Sequence, residues 1–146
     1  MTVLRTVATC FYLGKLPFAP GSWGSLGALI LWLFLPLNYL IHSLVIIIIF
    51  IIGVHVSETV AKIMDDHDPS EIVIDEAVGM GISLFMLPHS LVLYFLAFFI
   101  FRAFDIFKPS FIYRIQNLPG GWGIMLDDVL AGLFTLAIVT GFSSIL

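Results

Sequence analysis

The chain has 146 residues, of which 60% are hydrophobic and only 11% charged, with a net charge of −4. An ordinary soluble domain carries about 25% charged residues, so this composition excludes a water-soluble fold, and the lack of any basic run excludes a nucleic-acid binder. The single cysteine, Cys10, excludes an intrachain disulfide framework; a cysteine phosphatase needs an arginine six residues on, where Leu16 stands.

Uncharged stretches of 42, 25 and 18 residues follow Lys15, Glu76 and Asp128. A bilayer-spanning helix needs about 20 apolar residues, so the first stretch holds two spans. Residues 1–21 read as an interfacial segment with Arg5 and Lys15, and 22–146 as one helix bundle. No apolar stretch with a cleavage site opens the chain, so no cleaved leader is expected. Pro17-Phe18-Ala19-Pro20-Gly21-Ser22 is a turn with Ser22 as a helix cap. Span 1 runs from about Trp23 to Leu40, with Pro36 expected to kink or shorten it. Span 2 covers about Leu44 to Lys62. The loop Asp65-Asp66-His67-Asp68 leads into Asp68-Pro69-Ser70-Glu71, which reads as the start of span 3, ending near Leu87. Span 4 runs from Leu91 to about Phe107. A polar segment with the glycine turn Pro119-Gly120-Gly121-Trp122-Gly123 then precedes span 5, about Ile124 to Leu146.

The expected fold is therefore all-α, a polytopic membrane bundle of about five spanning or embedded helices. On this layout all six basic and all ten acidic residues fall at one end. The positive-inside rule makes that end cytoplasmic. A rival layout has one span from Ala77 to Phe101 kinked at Pro88, which separates Asp75 from Asp105 across the membrane.

Charged groups at membrane depth are costly and mark function. Span 3 carries Asp75 and Glu76, span 5 Asp127 and Asp128, span 4 Asp105 between Arg102 and Lys108, and span 2 Glu58. Glu71, Asp75, Gly79 and Ser83 recur every four residues, and Asp128 with Gly132 repeats that spacing. Such small-residue faces let helices approach closely. Converging carboxylates raise one another's pKa unless a cation intervenes, and an all-oxygen set suits Mg²⁺. The candidate ligands are Asp75, Glu76, Asp105, Asp127, Glu58 and Asp68. Asp75, Glu76, Asp105, Asp127 and Asp128 are the candidate catalytic acids. Arg102 and Lys108 would grip a phosphate, as would backbone N–H groups at Gly120 and Gly121. The similar turn Pro20-Gly21-Ser22-Trp23-Gly24 lies at the same end.

Four blocks carry a resemblance: Leu16-Pro17 to Pro20-Gly21-Ser22-Trp23-Gly24-Ser25-Leu26; Ile74-Asp75-Glu76 with Gly79-Met80; Phe101-Arg102 with Asp105 and Lys108-Pro109; and Gly120-Gly121 with Gly123-Ile124-Met125, Asp127-Asp128 and Ala131-Gly132. With them the chain resembles the bacterial phosphatidylglycerophosphatase A family over nearly its whole length. That resemblance implies a Mg²⁺-dependent phosphatase of the inner membrane, acting on phosphatidylglycerophosphate to give phosphatidylglycerol and inorganic phosphate. Attack would come from metal-activated water or through an aspartyl-phosphate. A small carboxylate-lined transporter is the alternative, and it requires acids spread through the membrane depth.

Overall fold

The computed structural model describes residues 2–145 and contains only helices and connecting turns among them. In order these are α1 (Thr2–Ala8), a 3-10 turn at Leu13–Lys15, α2 (Pro20–Phe34), α3 (Tyr39–Met64), α4 (Ile74–Ser83), α5 (Leu91–Phe107), α6 (Ser110–Ile115) and α7 (Gly121–Ile145). The expected end of span 5, Leu146, lies outside the described residues. Helices α3 and α7 are long and apolar enough to cross a bilayer. Helix α4 has ten residues, which at 1.5 Å each reach about half the ~30 Å hydrocarbon core.

Several helix boundaries can be traced to named residues. Of the two expected effects of Pro36, the structure shows the shortening: α2 stops at Phe34 and Leu35 is extended, because a residue preceding a proline is pushed out of the helical region. Asn38 then caps α3 by accepting from the N–H groups of Leu40 and Ile41. Ser22 is not a cap: Ala19 takes that position in a left-handed conformation and Pro20 is the first helical residue. Asp68-Pro69 does not start α4 either. The Ile72 N–H donates to the Pro69 carbonyl, and the Val73 N–H to the carbonyl of Ala8 at 2.9 Å. Arg5 holds Glu71 at 2.8 Å. The N-terminal segment thus pins 71–73 as an irregular strap, and the helix begins at Ile74.

Helix α4 is the hub. It packs on α7, α2, α3 and α5, and seven of its ten residues are buried. A methyl group on Gly79 would lie 2.7 Å from the Asp128 carbonyl oxygen, and one on Gly132 would meet the Gly79 carbonyl. These glycines let the α4 and α7 backbones touch, as small residues do between membrane helices. Gly79→Val should therefore lower stability by about 1–3 kcal/mol or more through overpacking. The measurement is the unfolding midpoint in detergent, and an unchanged midpoint would contradict the close approach.

At the opposite end His42, which an expected start of span 2 near Leu44 leaves in the preceding interfacial turn, is fully buried in α3. Its ring packs against Trp32 and Phe85, and its Nδ1 accepts from the Met86 N–H at 3.2 Å. That bond ties the α4–α5 hairpin to α3.

Candidate active site

The α4–α7 contact carries the first carboxylates together. Asp75 and Glu76 occupy the first turn of α4 and Asp127 and Asp128 the second turn of α7. Asp75, Asp127 and Asp128 are 7%, 2% and 1% exposed. One oxygen from each lies within 4.8 Å of the others. A second group, Glu76, Asp105 and Asp128, meets the same limit, so Asp128 belongs to both. The hairpin of α4 and α5 is what brings Asp105 back to this level. A single kinked span would have separated these acids, and it does not occur.

Two cations face the five acids. Arg102 pairs with Asp105 and lies 3.9 Å from Glu76. Lys108 donates to Asp127 at 2.6 Å and to Gln116 at 3.3 Å. It follows α5 in a left-handed conformation, φ 39°. That backbone state is unfavourable for a non-glycine residue and turns the chain sharply at the helix end. Burial works against the Lys108 charge, but Asp127, Asp128 and Asp105 outweigh it and hold its pKa above the ordinary lysine value. Asp75 Oδ1, Glu76 Oε2, Asp128 Oδ2 and Arg102 Nε remain buried without a hydrogen-bond partner. Orphaned buried carboxylate oxygens are costly, and two acid groups offering them are chemically suited to a hard divalent cation.

A cleft of about 240 Å³ opens onto this cluster, lined by Asp75, Glu76, Arg102, Asp105 and Lys108. Asp68 and Ser70 stand at its rim, and the start of α2 at Pro20 and Gly21 closes one side. A methyl on Gly21 would lie 2.6 Å from Glu76 Oε1 and 2.8 Å from Arg102 Nη1. Sequence reasoning misses Gly21 as a site residue; the signal that points to it is the likeness of its turn to the second glycine turn.

The remaining candidates lie elsewhere. Glu58 pairs with Lys62 at 3.0 Å, one helical turn away, in a separate surface depression with His67 and Gly120. Gly121 abuts the backbone of Val54, where α7 crosses α3. Exposed i,i+4 pairs contribute little, so Glu58→Gln should leave phosphatase turnover within about twofold and stability within ~0.5 kcal/mol. A large loss of turnover would bring Glu58 into the site.

The family description Phosphatidylglycerophosphatase A matches residues 6–143. The chain belongs to the phosphatidylglycerophosphatase A family. A Phosphatidylglycerophosphatase A of Escherichia coli strain K12 is 39% identical over 136 residues, covering 91% of this chain and 79% of that protein. One from Haemophilus influenzae is 37% identical over 140 residues, covering 93% and 86%. A Bacteroides thetaiotaomicron protein named "Putative phosphatidylinositol-3-phosphatase" is 36% identical over 143 residues, covering 91% and 89%. No solved structure matches the chain. As a phosphatidylglycerophosphatase A family member the protein is a phosphatase, and its long apolar helices associate it with the membrane. The transporter alternative finds no support: the described parts of α2, α3, α4, α5 and α7 carry no charged residue away from the acid end.

Proposed function

We propose that this protein hydrolyses phosphatidylglycerophosphate to phosphatidylglycerol and inorganic phosphate, using Mg²⁺, at the cytoplasmic face of the bacterial inner membrane. The observation that carries the reading is the pair of carboxylate groups sharing Asp128, with Arg102 and Lys108 at the same cleft. The cleft volume is below the ~300–1,000 Å³ of sites that enclose a drug-sized ligand. It suits a phosphoryl group whose lipid remains outside. The multi-pass orientation rests on all six basic residues lying at the site end of the helices.

Five acids against two cations make the cleft strongly anionic. A dianionic phosphomonoester enters such a field only with added positive charge. Asp75, Asp127 and Asp128 would hold a metal in one group, and Glu76, Asp105 and Asp128 in the other. When bound, Mg²⁺ supplies that charge and polarises the phosphoryl oxygens. Arg102 and Lys108 then turn from their acids toward the phosphate oxygens and orient it. Water attacks phosphorus opposite the glycerol oxygen, a cleft carboxylate takes the water proton, and as the ester P–O bond breaks the departing glycerol oxygen takes a proton back from that carboxyl group to leave as phosphatidylglycerol. An aspartyl-phosphate route would make two displacements at phosphorus and retain its configuration, where direct attack by water inverts it, which a substrate with a phosphate made chiral by oxygen isotopes reports.

The test is phosphate release by the purified protein in detergent micelles. Release from phosphatidylglycerophosphate with Mg²⁺ should exceed that with chelator by about 10²-fold or more. Phosphatidic acid and phosphatidylinositol 3-phosphate serve as competing head groups. No release from any of the three in the presence of Mg²⁺ overturns the reading; preference for the inositide redirects it.

A further inference from the structure

We propose that the groove between α2 and α3 holds one acyl chain of the lipid phosphate, an inference that rests on the lipid-phosphatase reading above. The two helices are joined by a short link at Leu35–Asn38, yet each packs on α4 more than on its neighbour. The gap left between them is about 390 Å³. Its lining is almost wholly apolar. Ile74 and Ala77 of α4 form the floor, Cys10, Phe11 and Leu13 of the N-terminal segment cover one end, and Leu31 and Ile52 stand exposed at its sides.

The groove adjoins the acid cluster on two elements. On α4, Ile74 and Ala77 bracket Asp75 and Glu76, so one helical turn presents apolar groups to the groove and carboxylates to the cleft. On α2, Gly21 lines the cleft and Gly24 and Gly27 line the groove. Three residues advance a helix by about 4.5 Å, a step that a glycerol backbone covers. The glycines make the space: a methyl on Gly27 would come 2.6 Å from Leu13 Cδ1.

At hydrocarbon depth the surrounding medium is itself acyl chain. Lipid tails are as apolar as leucine, so the groove gains little from burial as such. What it gives a chain tethered to the phosphate is position, and position governs rate. Of the two apolar depressions elsewhere, the one at Phe104 and Ile138 neighbours acid-cleft residues along α5 and its end alone, and the one at Ile46 and Leu136 neighbours none, whereas the groove adjoins the cleft on both α2 and α4.

The experiment uses phosphatidylglycerophosphate carrying a diazirine in one acyl chain, photolysed with the full chain in detergent micelles, and mass spectrometry to map adducts. Adducts should concentrate on Cys10, Phe11, Leu13, Leu31, Ile49 and Ile52, and excess unlabelled phosphatidylglycerophosphate should reduce them about tenfold while leaving adducts at Phe99 and Ile138 unchanged. Gly27→Leu, which fills the groove, should lower kcat/KM for a dioleoyl substrate about tenfold more than for a dihexanoyl one. Phosphate release is followed in an unlit portion of the same sample. Release intact with adducts spread evenly over lipid-facing helices, insensitive to competitor, overturns the groove alone. Absence of release from the lipid overturns the phosphatase reading, and the groove assignment with it.

Discussion

Asp128→Asn lowers kcat/KM on the order of 10³-fold, while in metal-free detergent the variant melts no lower than the wild type. Outer-shell partners of metal ligands are worth about 10–100-fold; a carboxylate common to both acid groups should exceed that range. The stability half of the expectation separates this residue from a merely structural one. Asp128 is 1% exposed, and its Oδ2 has no partner. Its neighbours Asp75, Glu76, Asp105 and Asp127 are all acids. Without a cation these charges repel, so an isosteric neutral amide relieves strain, raising the melting midpoint by about 2–4 °C if the relief is ~1 kcal/mol. With Mg²⁺ the order reverses. A ligand at 100 times its dissociation constant stabilises the folded state by about 2.7 kcal/mol, and the variant loses most of that. Thermal unfolding with and without Mg²⁺, set beside phosphate release, reads both halves. A variant that keeps its Mg²⁺ shift and its turnover removes Asp128 from the metal groups and leaves the proposed chemistry without its centre.

The sequence pattern that revealed the site is the one that also determines its packing. Asp75 and Gly79, and Asp128 and Gly132, each lie one turn apart; Gly79 faces the Asp128 carbonyl and Gly132 the Gly79 carbonyl, and this close approach of the two backbones brings the acids together. Periodicity shows that directly, as does the placing of every charge at one end. The details that escaped depend on partners distant in sequence. Asp68-Pro69 has the local form of a helix start, but Arg5 and Ala8 reach across from 66 and 65 residues away and hold Glu71 and Val73 outside the helix. His42 looked like a turn residue because α3 was expected to begin later; a start at Tyr39 puts it inside the helix, against Trp32. Glu71 fell on the same four-residue ladder as Asp75, yet it precedes the helix and pairs with Arg5. Glu58 and Asp128 are both acids at the same end of long helices. Only the rotation of α3 against α7 separates them, and neither helix has a strong apolar face to reveal that rotation.

Two glycine turns of like sequence should respond in opposite ways to one added methyl group. Gly120 has φ +65° and sits beside the Glu58 carboxylate, away from the acid cleft. Alanine there meets the left-handed penalty of about 1–2 kcal/mol, so Gly120→Ala costs stability and leaves kcat per folded molecule near that of the wild type. Gly21 lies in the first turn of α2 without a positive φ. Alanine is the better helix former by up to about 1 kcal/mol, so the backbone itself accepts Gly21→Ala. The obstacle is the site: the new methyl would stand 2.6 Å from Glu76 Oε1 and 2.8 Å from Arg102 Nη1. Both are ends of flexible side chains, and they yield by turning away from Asp105 and the cleft. Misplacing a catalytic group by about 1 Å costs on the order of 10²-fold, and that is the loss expected for Gly21→Ala, with an unfolding midpoint at or above the wild type. Melting and kcat measured on both alanine variants decide the matter. If Gly21→Ala keeps its turnover while Gly120→Ala loses it, the phosphate is received at the start of α7, and Arg102 and Glu76 stand outside the reacting group.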